Sequence, residues 1–234
     1  MIYKTNNEIE ITDINRSNLV TNKAIFKYLE IAFCRHSESL GLNYEKLFKM
    51  GYMLVLLEWN LIVIKRPKYG DKIKISTWIE DTKNKVFYRN FKIELNDSSS
   101  AIARAKMMIV DLKTLKPVID NELIKKHKPE DMQVIEDDTR LQELDSYDKK
   151  IKFSIRKSDI DINNHVHNLN YLDMIKEIMD DDFEFDNIKI EFQKQIKYDD
   201  EVKVLSKKTK NKYYIKIYNN TKLQTSTLIE AFKY

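Results

Sequence analysis

The feature of this chain that most constrains its fold is an internal repeat. Residues 68–71 read KYGD and residues 197–200 read KYDD, and alternating apolar side chains follow in both places. A second match comes in the same order, because residues 82–85 and residues 209–212 both read TKNK and an aromatic pair follows each. Two matches in the same order predict duplication of a domain of ordinary size.

Each half reads as a helix followed by strands, which predicts an α+β fold in which a long helix packs against an antiparallel sheet, twice. The predicted helices are Asn22–Ser39, ended by Gly41, then a short Tyr44–Lys49, and Leu169–Met179 in the second half. The predicted strands are Tyr52–Lys65, Lys72–Glu80, Val86–Leu95, Ala101–Asp111, Ile151–Ile155, Ile188–Ile196, Glu201–Ser206, Lys212–Tyr218 and Gln224–Phe232.

The polar stretch between the halves predicts the domain boundaries. It holds two of the three prolines and an acidic run at residues 136–138. We therefore expect an N-terminal domain over residues 1–115, a linker over 116–148 with a short helix around Asn121–Lys126, and a C-terminal domain over 149–234.

Composition excludes several classes of protein. Lys and Arg number 41 against 37 Asp and Glu, a surplus too small for a dedicated nucleic-acid binder. The single Cys34 excludes an internal disulfide and a cysteine-based metal cluster, which fits a reducing compartment. Neither a secretory leader nor an uninterrupted apolar run of the ~18 residues needed for a membrane span is visible. We expect a cytoplasmic protein without a membrane span.

The segment over residues 158–171, SDIDINNHVHNLNY, carries the strongest chemical signal. Asp161, Asn163 and His165 alternate with other residues, and alternation is typical of an extended segment in which such side chains point the same way. A helical pattern begins near Tyr171, so this polar trio lies just before a helix N-terminus, where backbone N–H groups could stabilise an oxyanion. The trio is a plausible hydrolytic constellation.

Three other interpretations of this segment compete with hydrolysis. Asp and Asn are common cap residues, so the trio could simply begin the helix. Residues 159–163 start like a calcium-binding loop, but Asn164 stands where that loop needs Gly and Asn170 where it needs Glu. His165 and His167 could ligate a metal, yet no third histidine is nearby. We expect no metal here.

Three segments resemble the acyl-acyl-carrier-protein thioesterases, a family built from two fused hotdog domains. Residues 66–78 are similar to the family pattern RxPxxGDxVxxxTW, with one residue missing between Arg66 and Pro67. Residues 158–171 are similar to its signature SDLDxNxHVNNxxY, and residues 191–202 resemble the strand that delivers a further polar group. The similarity covers nearly the whole chain and implies two tandem hotdog domains.

The resemblance implies a role for each matched residue. Asp161, Asn163 and His165 correspond to the catalytic Asp, Asn and His, which act on a thioester with water or an activated side chain as nucleophile. His165 would be the general base and Asp161 would orient it or the water. Asn163 would hold the water or the thioester carbonyl, and backbone donors near Asn168 would stabilise the oxyanion.

Two departures from the family pattern alter that assignment. Where many members carry Glu-Cys, this chain has Gln195-Ile196, and Gln195 can hydrogen-bond a catalytic water but cannot take its proton. Glu191, four residues earlier on the same predicted strand face, is a possible substitute that could contact substrate. His167 replaces a usual Asn, which changes the hydrogen bonding at the helix start.

The resemblance therefore implies a thioester hydrolase that releases fatty acid from acyl carrier protein, needs no cofactor and forms a homodimer. The second domain would supply the chemistry and the first would hold the acyl chain. An acyl-CoA thioesterase and a catalytically weak acyl-carrier or lipid-binding module remain alternatives. A basic hairpin could attract the acidic carrier protein, although it could equally be a solvated turn. Its lysines are Lys207, Lys208, Lys210 and Lys212.

Overall fold

A computed structural model describes residues 1–80, 85–118, 125–136, 140–179, 184–210, 212–219 and 224–232. The chain divides into two compact units, unit 1 over Met1–Asp137 and unit 2 over Asp138–Tyr234. The sequence-predicted linker, residues 116–148, is shared between the two units, and the domain boundaries proposed from sequence stay predictions. Most of the helix predicted at Asn121–Lys126, and part of the TKNK match, lie outside the described residues.

Unit 1 is an antiparallel sheet with a long helix. Its strands follow the order β1-β3-β4-β5-β2, and the short β6 pairs with β5. The elements are β1 (Tyr3–Glu8), α1 (Asn22–Ser39), α2 (Tyr44–Lys49), β2 (Tyr52–Val63), β3 (Lys72–Ile79), β4 (Val86–Leu95), β5 (Ser98–Asp111) and β6 (Pro117–Val118).

Local chemistry sets both ends of α1. The Thr21 side chain accepts a hydrogen bond from the Ala24 N–H at 3.1 Å, which caps the first turn. Gly41 follows the last turn with φ +66°, a left-handed conformation that glycine adopts without the steric cost of a Cβ. Between these ends one face is buried, including Leu29 and Ala32 at 0% exposure, so burial of apolar surface stabilises the helix against its sheet.

Unit 2 repeats the strand order of unit 1. Its sheet runs β7-β9-β10-β11-β8, in which each strand matches its counterpart of β1-β3-β4-β5-β2. The elements are β7 (Lys149–Phe153), α3 (Tyr171–Ile178), β8 (Asn187–Phe192), β9 (Val202–Thr209), β10 (Lys212–Asn219) and β11 (Gln224–Phe232). The duplication predicted from the sequence is therefore confirmed.

The matching KYxD segments form the same turn in each unit. The Lys68 N–H donates to Asp71 Oδ2 at 2.8 Å, and the Asp71 N–H donates to the Lys68 carbonyl at 3.1 Å. In unit 2 the Lys197 N–H donates to Asp200 Oδ2 at 2.9 Å, and the Asp200 N–H donates to the Lys197 carbonyl at 3.1 Å. The repeated KYxD residues therefore form a turn in which the aspartate side chain accepts a backbone N–H three residues earlier.

The predicted helices and strands are confirmed in order, apart from the helix at Asn121–Lys126, and several differ in their bounds. Helix α3 has only eight residues, because Asn168–Asn170 forms a tighter 3₁₀ turn and Met179 is already extended. Strand β8 ends at Phe192, four residues before its predicted end. The sequence prediction missed the short β6 and also β1, whose polar residues alternate between half-buried and exposed positions along an edge strand.

No helix among the described residues combines the length and the apolar character that crossing a bilayer requires.

Candidate active site

The polar trio lies on a tight loop between two antiparallel bridge partners, Ile160 and Val166. The Asp161 N–H donates to the His165 carbonyl at 2.8 Å, and the Asn164 N–H donates to the Asp161 carbonyl at 3.0 Å. Asn164 has φ +62°, a left-handed conformation that Asn tolerates better than most residues. The prediction of an extended segment is therefore wrong for these residues, because Asn164 reverses the chain.

The Asp161 carboxylate organises this loop. Its Oδ1 accepts the N–H groups of Asn163 at 2.8 Å and of His165 at 3.3 Å. The Asn163 side-chain Nδ2 lies 3.4 Å from Asp161 Oδ2, a long hydrogen bond. All three side chains are half-buried, whereas the intervening Ile162 is 77% exposed. The structure thus brings the trio together on the less exposed side of the loop, through a turn and not through strand alternation.

The loop exists a second time, in unit 1. The Asn15 N–H donates to the Leu19 carbonyl at 2.9 Å and the Asn18 N–H donates to the Asn15 carbonyl at 3.0 Å. Asn18 has φ +57°, and Asn15 Oδ1 accepts the N–H groups of Ser17 at 2.9 Å and Leu19 at 3.2 Å. The backbone of this loop therefore needs an Asx oxygen at its first position, but neither a negative charge nor a histidine.

Two further hydrogen bonds anchor the loop of unit 2 within its own unit. The Val166 N–H donates to the Ile196 carbonyl at 2.8 Å, and the His167 N–H donates to the Asp159 carbonyl at 2.9 Å. Asp159 is 2% exposed and its carboxylate forms a bidentate pair with Arg156, with Nη2 to Oδ1 at 2.7 Å. The loop is thus held by two backbone carbonyls, that of Asp159, whose carboxylate is fixed by Arg156, and that of Ile196.

Unit 1 has the same two anchors. The Val20 N–H donates to the Pro67 carbonyl at 3.0 Å, and the Thr21 N–H donates to the Asp13 carbonyl at 2.8 Å. Asp13 is 1% exposed, as its counterpart is, but its charged partner is Lys27. Sequence reasoning missed this supporting aspartate. The signal was available, because an Asp precedes the loop by two residues in both halves of the repeat.

His165 is the side chain whose environment best fits proton transfer. Its Nδ1 is buried and has no hydrogen-bond partner in the described part of the chain. Burial lowers the pKa of His165 below its ordinary 6.5 and nearby Lys197 lowers it further, whereas the negative charges of Asp161 and Asp200 raise it. Since the net shift is downward, the imidazole is neutral at pH 7 and has a lone pair that can accept a proton.

Two backbone N–H groups at the start of the helix, those of Asn168 and Leu169, differ in whether a side chain accepts them. His167 Nδ1 accepts the Leu169 N–H at 3.2 Å, so the residue that departs from the family pattern serves as a cap. Asn170 is tied back to Asp159, whose carbonyl accepts its Nδ2 at 3.1 Å. The Asn168 N–H has no acceptor among the described residues.

The two polar side chains of the 191–195 segment differ in their surroundings, and their roles at the site stay predictions. Gln195 is exposed, and within the described residues its side chain forms no hydrogen bond with Asp161, Asn163 or His165. Glu191 is 8% exposed and its Oε1 accepts the Leu141 N–H. Because β8 ends at Phe192, the two side chains are not on one strand face, contrary to the expectation from sequence.

No group of three or more His, Cys, Asp and Glu side chains suited to a metal ion occurs in the ranges that the structure describes. The Asp161 carboxylate is instead occupied by backbone and amide donors.

Comparison with protein families gives two matches that follow one another along the chain. The model of the acyl-ACP thioesterase N-terminal domain matches residues 1–126, and that of the acyl-ACP thioesterase C-terminal domain matches residues 142–231.

Curated relatives are chloroplastic plant proteins. The chain is 25% identical over 195 residues to an acyl-[acyl-carrier-protein] hydrolase of Cuphea viscosissima, covering 76% of this chain and 47% of the relative. It is also 25% identical over 196 residues to a palmitoyl-acyl carrier protein thioesterase of Cuphea hookeriana, covering 76% of this chain and 46% of the relative. The chain thus spans about half the length of these relatives.

Solved structures share the fold over almost the whole chain. A 12:0-ACP thioesterase from Umbellularia californica superposes with a TM-score of 0.89 at 17% identity, covering 99% of this chain and 96% of that one. An acyl-ACP thioesterase from Bacteroides thetaiotaomicron gives 0.86 at 18% identity, covering 99% and 97%. The two tandem hotdog domains expected from the sequence are confirmed.

Proposed function

We propose, for a chain that belongs to the acyl-ACP thioesterase family, that it hydrolyses fatty acyl-acyl-carrier-protein thioesters to a free fatty acid and the carrier-protein thiol. The observation that carries this proposal is the contrast between the two copies of one loop. Where unit 1 has the uncharged Asn15 and Leu19, unit 2 has Asp161 and His165 on the same backbone framework. The ionisable groups are additions that the loop does not require for its shape.

The proposed reaction uses water as the nucleophile. His165 takes a proton from the water while the water oxygen bonds to the thioester carbonyl carbon. As the tetrahedral intermediate collapses, the carbon–sulfur bond breaks and His165 returns the proton to the leaving thiolate. Asp161 supports the positive imidazolium by its charge, since it raises the pKa of His165 against the effect of burial.

Three other residues have supporting roles in the proposal. Asn163 orients the Asp161 carboxylate through its Nδ2 and could also hold the substrate carbonyl. The uncapped Asn168 N–H would donate to the oxyanion. Gln195 would hydrogen-bond the attacking water or the substrate, and it cannot serve as a base. That Glu191 contacts substrate stays a prediction, because in this structure its carboxylate binds the Leu141 backbone.

Acyl carrier protein is the proposed partner, on the strength of the names of the curated relatives. Lys208 and Lys210 of the basic hairpin are exposed and would attract an acidic protein by long-range electrostatics. A homodimer and a cytoplasmic location stay predictions from the sequence.

Release of free thiol from matched acyl-carrier-protein and acyl-CoA thioesters, over a series of chain lengths, tests the proposal. We expect faster turnover of the carrier-protein thioesters, with a maximum at one chain length. Equal or faster turnover of acyl-CoA would identify an acyl-CoA thioesterase instead. Binding of acyl carrier protein with no turnover of any thioester would identify a binding module.

A further inference from the structure

The backbone of Ile196 joins the candidate site to the first turn of α3. Its carbonyl accepts the N–H of Val166, the residue directly after His165, at 2.8 Å. Its own N–H donates to the hydroxyl of Tyr171, the first residue of α3. Ile196 and Tyr171 are 0% and 2% exposed. Because both groups are buried, each needs the other to satisfy its hydrogen bonding.

Unit 1 has no donor for the second of these hydrogen bonds. The KYxD repeat makes Pro67 the counterpart of Ile196, since each directly precedes the repeated lysine. The Pro67 carbonyl likewise accepts a loop N–H, that of Val20, at 3.0 Å. Proline has no N–H of its own, so only the first of the two hydrogen bonds can form in unit 1.

Unit 1 has no acceptor for that hydrogen bond either. Ile25 follows Asn15 by ten residues, as Tyr171 follows Asp161, and Ile25 is equally buried at 2% exposure. Its side chain has no hydroxyl. The donor and the acceptor are therefore absent together from the unit whose loop has no histidine, and present together in the unit whose loop has one.

The two units attach this segment to the loop in different ways. In unit 1 the Arg66 side chain donates through Nη1 to the Val20 carbonyl at 2.9 Å. Gln195 is the counterpart of Arg66 and is exposed, and in the part of the chain that the structure describes its side chain forms no such hydrogen bond to Val166. The attachment in unit 2 comes from the Tyr171 hydroxyl instead, which leaves the Gln195 side chain uncommitted to the loop.

We propose that Tyr171 is a positioning residue of the candidate site, whose hydroxyl holds the Ile196 backbone, and with it Gln195 and Lys197, beside the loop that carries His165. Burial raises the pKa of Tyr171 above its ordinary 10 and outweighs the lowering by the Ile196 N–H. The hydroxyl therefore stays protonated at pH 7 and transfers no proton in the reaction. This inference deepens the proposed function and rests on it for the role of the site.

Loss of the hydroxyl should change the surroundings of His165. Burial, the largest effect, and Lys197 lower the pKa of His165, whereas Asp161 and Asp200 raise it. Without its acceptor the Ile196 N–H must find water, so the segment moves away from the loop and water reaches the imidazole. Because burial has the largest effect, the pKa of His165 should rise.

An NMR titration of the His165 imidazole tests the proposal in the full chain, with His165→Leu to assign the signal. Tyr171→Phe removes only the hydroxyl and keeps the ring, which packs edge-on against Phe192 at 5.4 Å. We expect a higher His165 pKa in this variant than in the wild type. An equal pKa in the two proteins would overturn the proposal.

The matched control is Tyr28→Phe in helix α1. Tyr28 is 6% exposed, and its hydroxyl donates to the Glu8 carbonyl at 2.8 Å. The control therefore removes a buried, hydrogen-bonded hydroxyl from unit 1 and should leave the His165 titration in place. The same rise in both variants would make the effect a general loss of stability and would overturn the proposal.

Ile196→Pro removes the donor instead of the acceptor, and it covers the case in which Tyr171→Phe does not fold. It copies Pro67, whose carbonyl keeps its own loop hydrogen bond in unit 1. We expect the same rise in the His165 pKa, with no further rise when the two substitutions are combined. An unchanged titration in Ile196→Pro, or rises that add in the double variant, would overturn the hydrogen bond as the cause.

Thiol release from acyl carrier protein separates this inference from the proposed function. We expect Tyr171→Phe to lower kcat about tenfold, because the reacting groups are misplaced, and to change KM by less than about twofold. A wild type that hydrolyses no thioester would end the proposed function, while the titration would still decide whether Tyr171 positions the segment. An active wild type with an unaltered kcat in Tyr171→Phe would overturn the positioning role alone.

Discussion

Asp161 and Asn15 occupy equivalent positions in two copies of one loop, and the Oδ1 of each accepts the backbone N–H groups two and four residues later. The distances are 2.8 and 3.3 Å for Asp161 and 2.9 and 3.2 Å for Asn15. An amide oxygen therefore forms the same turn as a carboxylate oxygen. This equivalence supplies substitutions that remove a functional group while keeping the loop.

Asp161→Asn should separate chemistry from structure. Because Asn15 forms the same hydrogen bonds, we expect a thermal unfolding midpoint within about 3 °C of wild type. Loss of the charge next to His165 should lower kcat by about 10²–10⁴-fold. Asn15→Asp is the matched control, since it makes the reverse change in unit 1 and should leave kcat unaltered. A kcat for Asp161→Asn within threefold of wild type would show that the charge plays no part.

The pH dependence of kcat/KM should report the His165 imidazole. Its folded pKa lies below 6.5, so the base form predominates at pH 7 and is lost as the pH falls through that lowered value. Lys197 contributes to the lowering by repelling the imidazolium. Lys197→Gln should therefore raise the pKa, and the acidic limb of the profile should move to higher pH.

The shift from Lys197→Gln should shrink at high ionic strength, because Lys197 is exposed and its charge is screened by salt. Lys194→Gln, an exposed lysine on the same segment that is not among the groups acting on His165, is the control. An acidic limb that stays in place for Lys197→Gln at low salt would indicate that another group titrates.

Arg156→Met should destabilise unit 2 through Asp159. The substitution leaves a carboxylate that is 2% exposed without its bidentate partner, although Asp159 still accepts the backbone N–H of residue 156. We expect the free energy of unfolding, measured by urea denaturation, to fall. Lys157→Met, at the exposed neighbour, should change it by less than about 0.5 kcal/mol. Equal effects of the two substitutions would contradict the account.

Charge reversal on the basic hairpin tests the docking of carrier protein. Lys208→Glu with Lys210→Glu should raise the KM for acyl carrier protein and weaken its dependence on salt, with kcat little changed. Lys65→Glu, an exposed lysine of unit 1, is the comparison variant. A KM that does not change in the double variant would show that the hairpin does not attract the carrier protein and is only a solvated turn.

The sequence predicted those elements whose signals are local. Helix α1 begins and ends where predicted, because Thr21 caps it and Gly41 follows it. The repeat predicted the duplication, since the KYxD turn is closed by its own aspartate in both units. Most strands agree within a few residues because their apolar side chains alternate.

One local conformation and several contacts between distant residues were not predicted from the sequence. Alternation in the 161–165 segment suggested a strand, whereas a left-handed Asn164 makes it a loop with the same side chains on the less exposed side. The burial of Arg89, a β4 residue at 0% exposure whose Nη1 lies 3.0 Å from His36 Nδ1, could not be foreseen, because it depends on the packing of α1 against the sheet. Likewise, the engagement of Glu191 by Leu141 joins residues that are far apart in the chain.

The central claim is that His165 performs the chemistry on a loop whose shape does not need it. The most direct test is thiol release from acyl carrier protein by wild type and His165→Leu, with acyl-carrier binding measured in parallel. Since Leu19 holds the equivalent position in unit 1, the variant should fold and bind normally. We predict that kcat falls at least 100-fold with the dissociation constant within threefold. Turnover near the wild-type rate, with binding intact, would contradict the account.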